Sequence, residues 1–375
     1  MSAFFVIALA ILAITNALTW LGLARIHPRR RPLVVAAFVI GNALWPFFPI
    51  LRAQTVTSRF LRSTLGPPWF GWQCWTIVYV TVLALIGIAW LITGRRMTFP
   101  RFARIPSATY IGATIIGTLI GVWQCLVPLR VEKVPITIAN LPREADGMRI
   151  VLMGDLHVGL YSRPSRIERF FSTARALRPD VVILAGDLVD DDPYFVPKLL
   201  AGTGALDAQT PLLAVLGNHE MYGGPQQVIN RLRGSRIRLL VNEGVSVRGV
   251  YIAGLSDYAA RDPHLAPDMR HVLASIPGGE LPIVVSHQPK SFDESRRRQI
   301  PLTLCAHTHG GQLGFRPLHW SLAGLFLPYD MGLYERGASQ LYVNTGTGYW
   351  LLPFRLGMTP EITVITLHNR GSAAP

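Results

Sequence analysis

The sequence predicts an α/β fold of two stacked sheets, preceded by an N-terminal bundle of about four transmembrane helices. Three observations predict it. Four long apolar segments fill the first third of the chain. Short, almost fully apolar runs alternate with helical patterns from Arg149 onward, as strands buried on both faces do. Finally, Asp, Asn or His stands just past the end of five of those runs, the edge at which α/β sheets bind ligands.

The apolar segments run approximately over residues 3–24, 33–51, 74–93 and 108–127, each near the 20 residues needed to cross a bilayer as helix. Asn42, Pro46 and Pro49 interrupt the second. The first lacks the basic start of a cleaved signal sequence. Residues 1–130 hold twelve Arg and no Lys, Asp or Glu, whereas the rest of the 375-residue chain is nearly balanced, with 24 basic and 22 acidic residues. These Arg flank apolar stretches instead of forming a basic face, so no nucleic-acid partner is expected; the expected partner is the lipid bilayer. Arg25, Arg29, Arg30 and Arg31 lie in the first connection and Arg95, Arg96, Arg101 and Arg104 in the third, against Arg52, Arg59 and Arg62 in the longer second. The retention of basic loops in the cytoplasm then places residues beyond 128 on the extracytoplasmic side. Cys74, Cys125 and Cys305 make no disulfide framework. Gly117 and Gly121 have the spacing that lets another helix of the bundle approach.

Residues 131–375 are expected to form one domain. The runs in "RIVLMGDLH", "DVVILAGDLVD", "PLLAVLGNHE", "LPIVVSHQP" and "LTLCAHTHGGQ" read as strands. Helical patterns over Pro164–Leu177, Pro193–Leu206 and Pro225–Leu232 follow the first three, which argues for βαβ units. Strands around Arg236–Leu240, Val250–Leu255, Gln340–Asn344 and Glu361–Leu367 are assigned to the second sheet.

The polar residues past these strands are Asp155, His157, Asp187, Asn218, His287, His307 and His309. Imidazole and carboxylate without clustered thiolate suit Zn, Mn or Fe. Seven such groups exceed one tetrahedral ion and are about right for two sharing a carboxylate. A paired-metal site serves phosphoester chemistry, where charge must be neutralised on several oxygens at once. Taken singly, "GDLH" and "GDLVD" read as turns and caps, and Asp190, Asp191 and Asp192 as a solvated turn. The ordered series, each member after a strand, leaves that reading little room. His307 and His309 would share a face of a continuing strand, so sending them to different ions requires the backbone to leave extended geometry, which Gly310 and Gly311 ease.

The series Asp155-x-His157, Gly186-Asp187, Gly217-Asn218-His219-Glu220, His287 and His307-x-His309 resembles the calcineurin-like metallophosphoesterases over residues 148 to 367. The Gly-Gly-Gln after His309, with "YVNTGTG" and "PEITVITL", resembles the membrane-associated bacterial branch. The resemblance implies a two-sheet sandwich with helices outside. It implies two divalent ions, Mn, Zn or Fe: Asp155, His157 and His309 on the first, Asn218, His287 and His307 on the second, Asp187 bridging. His219 would sit by the substrate as the catalytic residue, and a hydroxide between the ions would attack phosphorus. One departure is visible, Ala306 where the family usually has Gly.

These readings imply a phosphodiester or pyrophosphate hydrolase held in a bacterial plasma membrane as a multi-pass protein. Its substrate is either lipid-linked or of the cell envelope, or a soluble phosphoester beside which the anchor merely holds the enzyme. Arg163, Arg261, Arg316 and Arg355 are candidates for phosphate oxygens, though salt bridges explain each as well. The apolar stretch Trp320–Tyr334 is expected to dip towards lipid or line a lipid-substrate pocket. Two rivals belong to other classes. A membrane-anchored metal-binding or sensor protein would leave His219 unexplained, and a channel or transporter would want ionisable groups that the helical third lacks.

Overall fold

The computed structural model describes residues 3–43, 56–93 and 95–370. The chain divides into two compact units, residues 1–119 and 120–375.

The first unit is helical: α1 (Ala3–Ile26), a 3₁₀ turn at Pro28–Arg30, α2 (Arg31–Asn42), α3 (Val56–Ile92) and most of α4 (Phe99–Leu126). Two helices here, Gly71–Ile92 and Phe99–Leu126, are long and apolar enough to cross a membrane. Ala10–Ile26 and Pro28–Asn42 pass that test only as a pair bent by 113°, making a third span if the pair is one. The expectation of four spans is therefore corrected among the described residues. His27-Pro28 breaks the first helix beside three Arg, and α2 has 12 residues, about 18 Å of rise against a core of about 30 Å. The remainder of the 33–51 call, residues 44–51, lies outside the described residues. Arg59 and Arg62, expected in a loop, belong to α3. Helices α1, α3 and α4 are tied by polar contacts in an apolar setting: Asn16 Nδ2 donates to Gln73 Oε1 (2.5 Å), Trp72 Nε1 to Asn16 Oδ1 (3.0 Å), and the hydroxyls of Tyr79 and Ser107 meet at 2.6 Å.

In the second unit, β1 (Arg130–Ile138), β2 (Arg149–Met153), β3 (Val181–Ala185), β4 (Leu212–Val215), β5 (Ile237–Leu239) and β14 (Glu361–Asn369) form one six-stranded sheet in the order β1-β14-β2-β3-β4-β5. The other sheet, β12-β13-β9-β8-β7-β6, takes β6 (Glu243–Val247), β7 (Val250–Gly254), β8 (Leu281–Val285), β9 (Leu302–Cys305), β12 (Gly332–Arg336) and β13 (Ser339–Val343). The strands at Ile237–Leu239 and Glu361–Asn369 thus belong to the first sheet, not the second as their place late in the chain suggested. A short ribbon, β10 (Gly314–Phe315) with β11 (Trp320–Ser321), stands apart.

Alternation along the strands builds the layers, because successive side chains point to opposite faces. Ile150, Leu152, Ile183 and Val215 face Ile252, Ile283, Val285, Leu302 and Leu304 between the sheets. Val151, Met153, Val182 and Leu184 face outward onto Ile167, Phe170 and Phe171 of α5 (Pro164–Ala176) and Leu199 of α6 (Val196–Thr203). On the far side, Tyr251, Ala253 and Val284 pack on Met269 and Val272. Helices therefore cover both outer faces of the sandwich. Parallel strands β2-β3-β4 in one sheet and β8-β9 in the other end on the motif-bearing loops.

Candidate metal centre

Asp155 and His157 follow β2, Asp187 follows β3, Asn218 opens α7 (Asn218–Gly223) after β4, and His287, His307 and His309 follow β8 and β9. Backbone bonds join neighbouring loops within each sheet, and the Asp155 carboxylate joins the two sheets. Asp155 N donates to Gly186 O (3.1 Å), His157 N to Asp187 O (3.0 Å) and Ala306 N to His287 O (3.0 Å). His307 N donates to the Asp155 carboxylate (3.1 Å). Five candidate residues sit in the left-handed region: Asp155 (φ 53°), His157 (43°), Asp187 (50°), His307 (76°) and His309 (51°). Such backbone costs about 1–2 kcal/mol per non-glycine residue, and its clustering marks a place where geometry is over-determined by function. The departure from extended geometry starts at His307 itself, before Gly310 and Gly311, which continue it at φ 55° and 65°.

All seven candidate ligands converge. Donor atoms of Asp155, His157 and His309 lie within 4.8 Å of one another, and those of Asp187, His287 and His307 form a second such group. Nε2 of His157 is 3.1 Å from Nε2 of His309. In the second group, Nε2 of His287 lies 3.0 Å from Asn218 Oδ1, 3.1 Å from His307 Nδ1 and 3.2 Å from Asp187 Oδ2. That same Asp187 oxygen is 3.5 Å from Nε2 of His157, so one carboxylate stands between the groups. His157, Asp187 and His219 make a third close set, but Nδ1 of His219 is engaged 2.7 Å away by Asp191.

The donor chemistry fits divalent cations. Nδ1 of His287 donates to Ala185 O (2.8 Å), leaving Nε2 to point at an amide oxygen, a carboxylate and another imidazole. Electron pairs converging in a buried place need a cation or protons. Burial alone would lower His287, but Asp187 outweighs it and pushes the ring up to about 10. Burial likewise works to raise Asp187, yet the imidazoles of His287, His157 and His219 hold it below the usual carboxylate range. Burial raises Asp155 to about 6. Burial and the neighbouring His287 hold His307 down to about 3, and burial, His157 and Arg355 hold His309 low. His307 and His309 are thus held neutral, the form that binds metal, whereas His287 would give up its proton to a cation.

The surrounding residues were only partly foreseen. Glu220, buried, accepts from Gly217 N (2.7 Å) and Asp187 N (3.1 Å) through Oε2 and from Val189 N (3.0 Å) through Oε1. It fixes the β3 and β4 loops together. Asp190 accepts from Nδ1 of His157 (3.1 Å) and Asp191 faces His219, so two of three acids read as a solvated turn orient site imidazoles. Asp192 does cap a turn, accepting from Tyr194 N. Their sequence signal was the Asp run directly after Gly186-Asp187, with two histidines elsewhere needing a partner.

Of the four Arg considered for phosphate, Arg163 and Arg261 are exposed. Arg316 is spent on Glu361 (2.5 Å) and Thr345. Arg355 is fully buried and donates to Nδ1 of His309 (2.9 Å) and to Thr345 O (2.7 Å). Gly121 does not serve the helical bundle as its spacing suggested: a Cβ there would lie 2.3 Å from the Phe354 ring. Ala306 is accommodated because Gly154 faces it, where a Cβ would come within 2.3 Å of the Ala306 methyl.

Comparison with known proteins agrees with this geometry. Residues 148–311 match the calcineurin-like phosphoesterase family. The chain is 30% identical over 256 residues to an uncharacterized metallophosphoesterase of Helicobacter pylori, covering 68% of each chain. It is 31% identical over 362 residues to a transmembrane protein with metallophosphoesterase domain from Danio rerio, covering 89% of this chain and 79% of that one. A metallophosphoesterase of Aquifex aeolicus is 29% identical, with 68% of this chain covering 99% of it. With the ordered motifs and these relatives in hand, the chain belongs to the calcineurin-like metallophosphoesterase family.

Proposed function

We propose that the protein is a membrane-anchored, two-metal hydrolase of phosphodiester or pyrophosphate bonds, acting on a lipid-linked substrate. The observation that carries this reading is Asp187, whose one oxygen stands 3.5 Å from His157 and 3.2 Å from His287, between two sets of ligand atoms. In it, Asp155, His157 and His309 would hold one cation, Asn218, His287 and His307 the other, and Asp187 would serve both. When bound, such cations (Mn, Zn or Fe) would supply charge for the phosphoryl oxygens and a lowered pKa for water.

His219 acts on the leaving oxygen. Its side chain is 12% exposed at the mouth, in edge contact with the ring of His157 at 4.6 Å. Asp191 holds its Nδ1, so the ring keeps its proton and its other edge is free to donate, as a general acid must. An alkoxide or phosphate leaving group then departs neutralised. A protonated imidazole beside the site is what a purely metal-storing or sensing protein has no use for.

Residues 1–130 serve as the anchor and 131–375 as the catalytic domain. The connection between the spans Gly71–Ile92 and Phe99–Leu126 holds Arg95 and Arg96, which favours the cytoplasm for that loop and the opposite side for everything after Leu126. An alkaline phosphatase reporter fused after Pro375 reads this directly. Activity of the reporter supports the arrangement, and silence with full expression contradicts it.

The test of function uses the full chain in detergent, loaded with Mn or Zn, with an aryl phosphodiester and an aryl phosphomonoester. Metal-dependent hydrolysis is expected, faster on the diester. Asp187→Ala should lose metal and turnover together. His219→Ala should keep metal and lose about 10²–10⁴ in kcat. Full metal occupancy without hydrolysis of either ester would sink the enzyme reading in favour of metal binding or sensing.

A further inference from the structure

The second unit exposes large apolar side chains where its fold gains nothing from them. Phe315, Leu318, Trp320, Leu325 and Phe326 all stand out from the stretch between β10 and β12, with Leu318 and Phe326 more than three-quarters exposed. Scattered surface apolar residues need no explanation, but a run of this kind marks a contact surface. The run is not loose. Leu322 N donates to Leu313 O (2.8 Å), Gly324 N to Ser321 Oγ (3.0 Å), and Ser321 Oγ to Asp330 Oδ2 (2.5 Å).

This scaffold is fastened to the metal ligands. Thr308, between His307 and His309, donates to Asp330 O (2.6 Å). Gly311 lies so near Ala323 that a Cβ would sit 2.6 Å from its backbone nitrogen. On the other flank of the site, Trp350 is exposed and its ring meets His219 at 6.2 Å. Its backbone is bonded to the Gln312 side chain in both directions, at 2.8 and 3.1 Å. Exposed apolar side chains therefore flank the site, on segments bonded to the loop that carries His307 and His309.

What covers it follows from the chain on its border. Gly314 N donates to Leu356 O (2.9 Å) and Leu356 N to Gln312 O (2.8 Å). The same segment bonds the last turns of α4: Arg355 N donates to Gly121 O (3.1 Å), and Gly357 N to Gln124 Oε1 (2.8 Å). Those turns belong to a helix apolar and long enough to cross a membrane, and they expose Trp123 and Leu126. The apolar loop is thus bonded through one short segment to the end of a candidate span. Residues 312–328 also contain no acidic side chain, as suits an anionic lipid surface.

We propose that the loop from Phe315 to Leu327 seats on the lipid bilayer, so that the metal centre takes its phosphoester from a lipid headgroup. This rests on the hydrolase reading above and adds the surface by which a lipid-linked substrate would reach the site. A protein partner or a second copy would need no such bonding to the end of a span.

The test uses the full chain in phosphatidylethanolamine–phosphatidylglycerol vesicles, with Cys74→Ser to remove the exposed thiol. A nitroxide is placed at Phe326→Cys and, as a control on an exposed polar site, at Asn230→Cys. The label at 326 should relax with oxygen and be shielded from a nickel chelate, while that at 230 shows the reverse. Equal chelate access at the two sites would overturn the docking, whether or not the preparation hydrolyses anything. In parallel, Leu325→Asp with Phe326→Asp should slow hydrolysis of a vesicle-borne phospholipid about tenfold or more, from lost apolar contact. Turnover of a soluble aryl phosphodiester should stay within about twofold. Equal loss on both substrates with unchanged thermal unfolding would also overturn it. Failure of the unsubstituted chain on the soluble diester speaks against the hydrolase reading alone.

Discussion

Arg355 donates from Nη2 to Nδ1 of His309 across 2.9 Å, both groups buried beneath the site. A guanidinium only donates, so Nδ1 accepts and the neutral ring keeps its proton on Nε2, which faces His157 Nε2 at 3.1 Å and Asp155 Oδ1 at 3.8 Å. A divalent cation there would displace that proton, and the guanidinium would offset the charge left on the ring. Arg355→Met should weaken metal binding about 10–100-fold. Calorimetric titration of the stripped protein measures this, and Arg355→Lys should recover part of the loss.

Glu220 joins two strand ends by taking three backbone N–H groups. Glu220→Gln replaces an accepting oxygen by an NH2 that faces one of those donors. The cost should be about 1–3 kcal/mol, seen as a lower thermal midpoint. Glu220→Ala strands all three donors and should cost more.

Asp191 sets the proton on His219. Burial pulls that ring down, but the bond to Asp191 and the charge of Asp187 prevail and raise it from 6.5 to about 9. A raised folded-state value adds stability that is complete below pH 6.5 and is lost as pH rises through about 9. The basic limb of kcat against pH should therefore lie near 9 in the native chain. In Asp191→Asn it should move to lower pH with metal content unchanged. A limb that stays put would separate His219 from the proton transfer.

Gly154 and Ala306 share one small space between the strand ends of the two sheets. A methyl on Gly154 would lie 2.3 Å from that of Ala306, so Gly154→Ala should destabilise by about 1–3 kcal/mol through overpacking. Adding Ala306→Gly should restore most of it, and the non-additivity in a double-mutant cycle reads the contact directly.

The site was more legible in the sequence than the sheets that hold it. Asp155, Asp187, Asn218 and His287 announce themselves because a buried strand ending in an ionisable group has few other uses. Strand pairing carries no such local mark. Glu361–Asn369 reads as any buried strand, yet it inserts between β1 and β2, pairing parallel with one and antiparallel with the other. Arg130–Ile138 carries no clear strand signal because charges and Pro135 break its apolar pattern, as an edge strand allows. The partners of two candidate ligand imidazoles, Asp190 and Arg355, lie 33 and 46 residues from the rings they hold. No spacing rule joins them. Apolar content alone does not mark the second span, because α2 runs for only 12 residues, Arg31–Asn42, too few to cross a bilayer as helix.

The central claim is that Asp187 is shared by two cations that together hydrolyse a phosphoester. The direct measurement is metal content and aryl phosphodiester turnover on one preparation of the full chain, before chelation, after it, and after stepwise return of Mn. Turnover should vanish on chelation and return only as the second equivalent binds, with Asp187→Ala retaining neither ions nor activity. Full activity at one equivalent per chain, or unchanged activity in Asp187→Ala, would contradict the account.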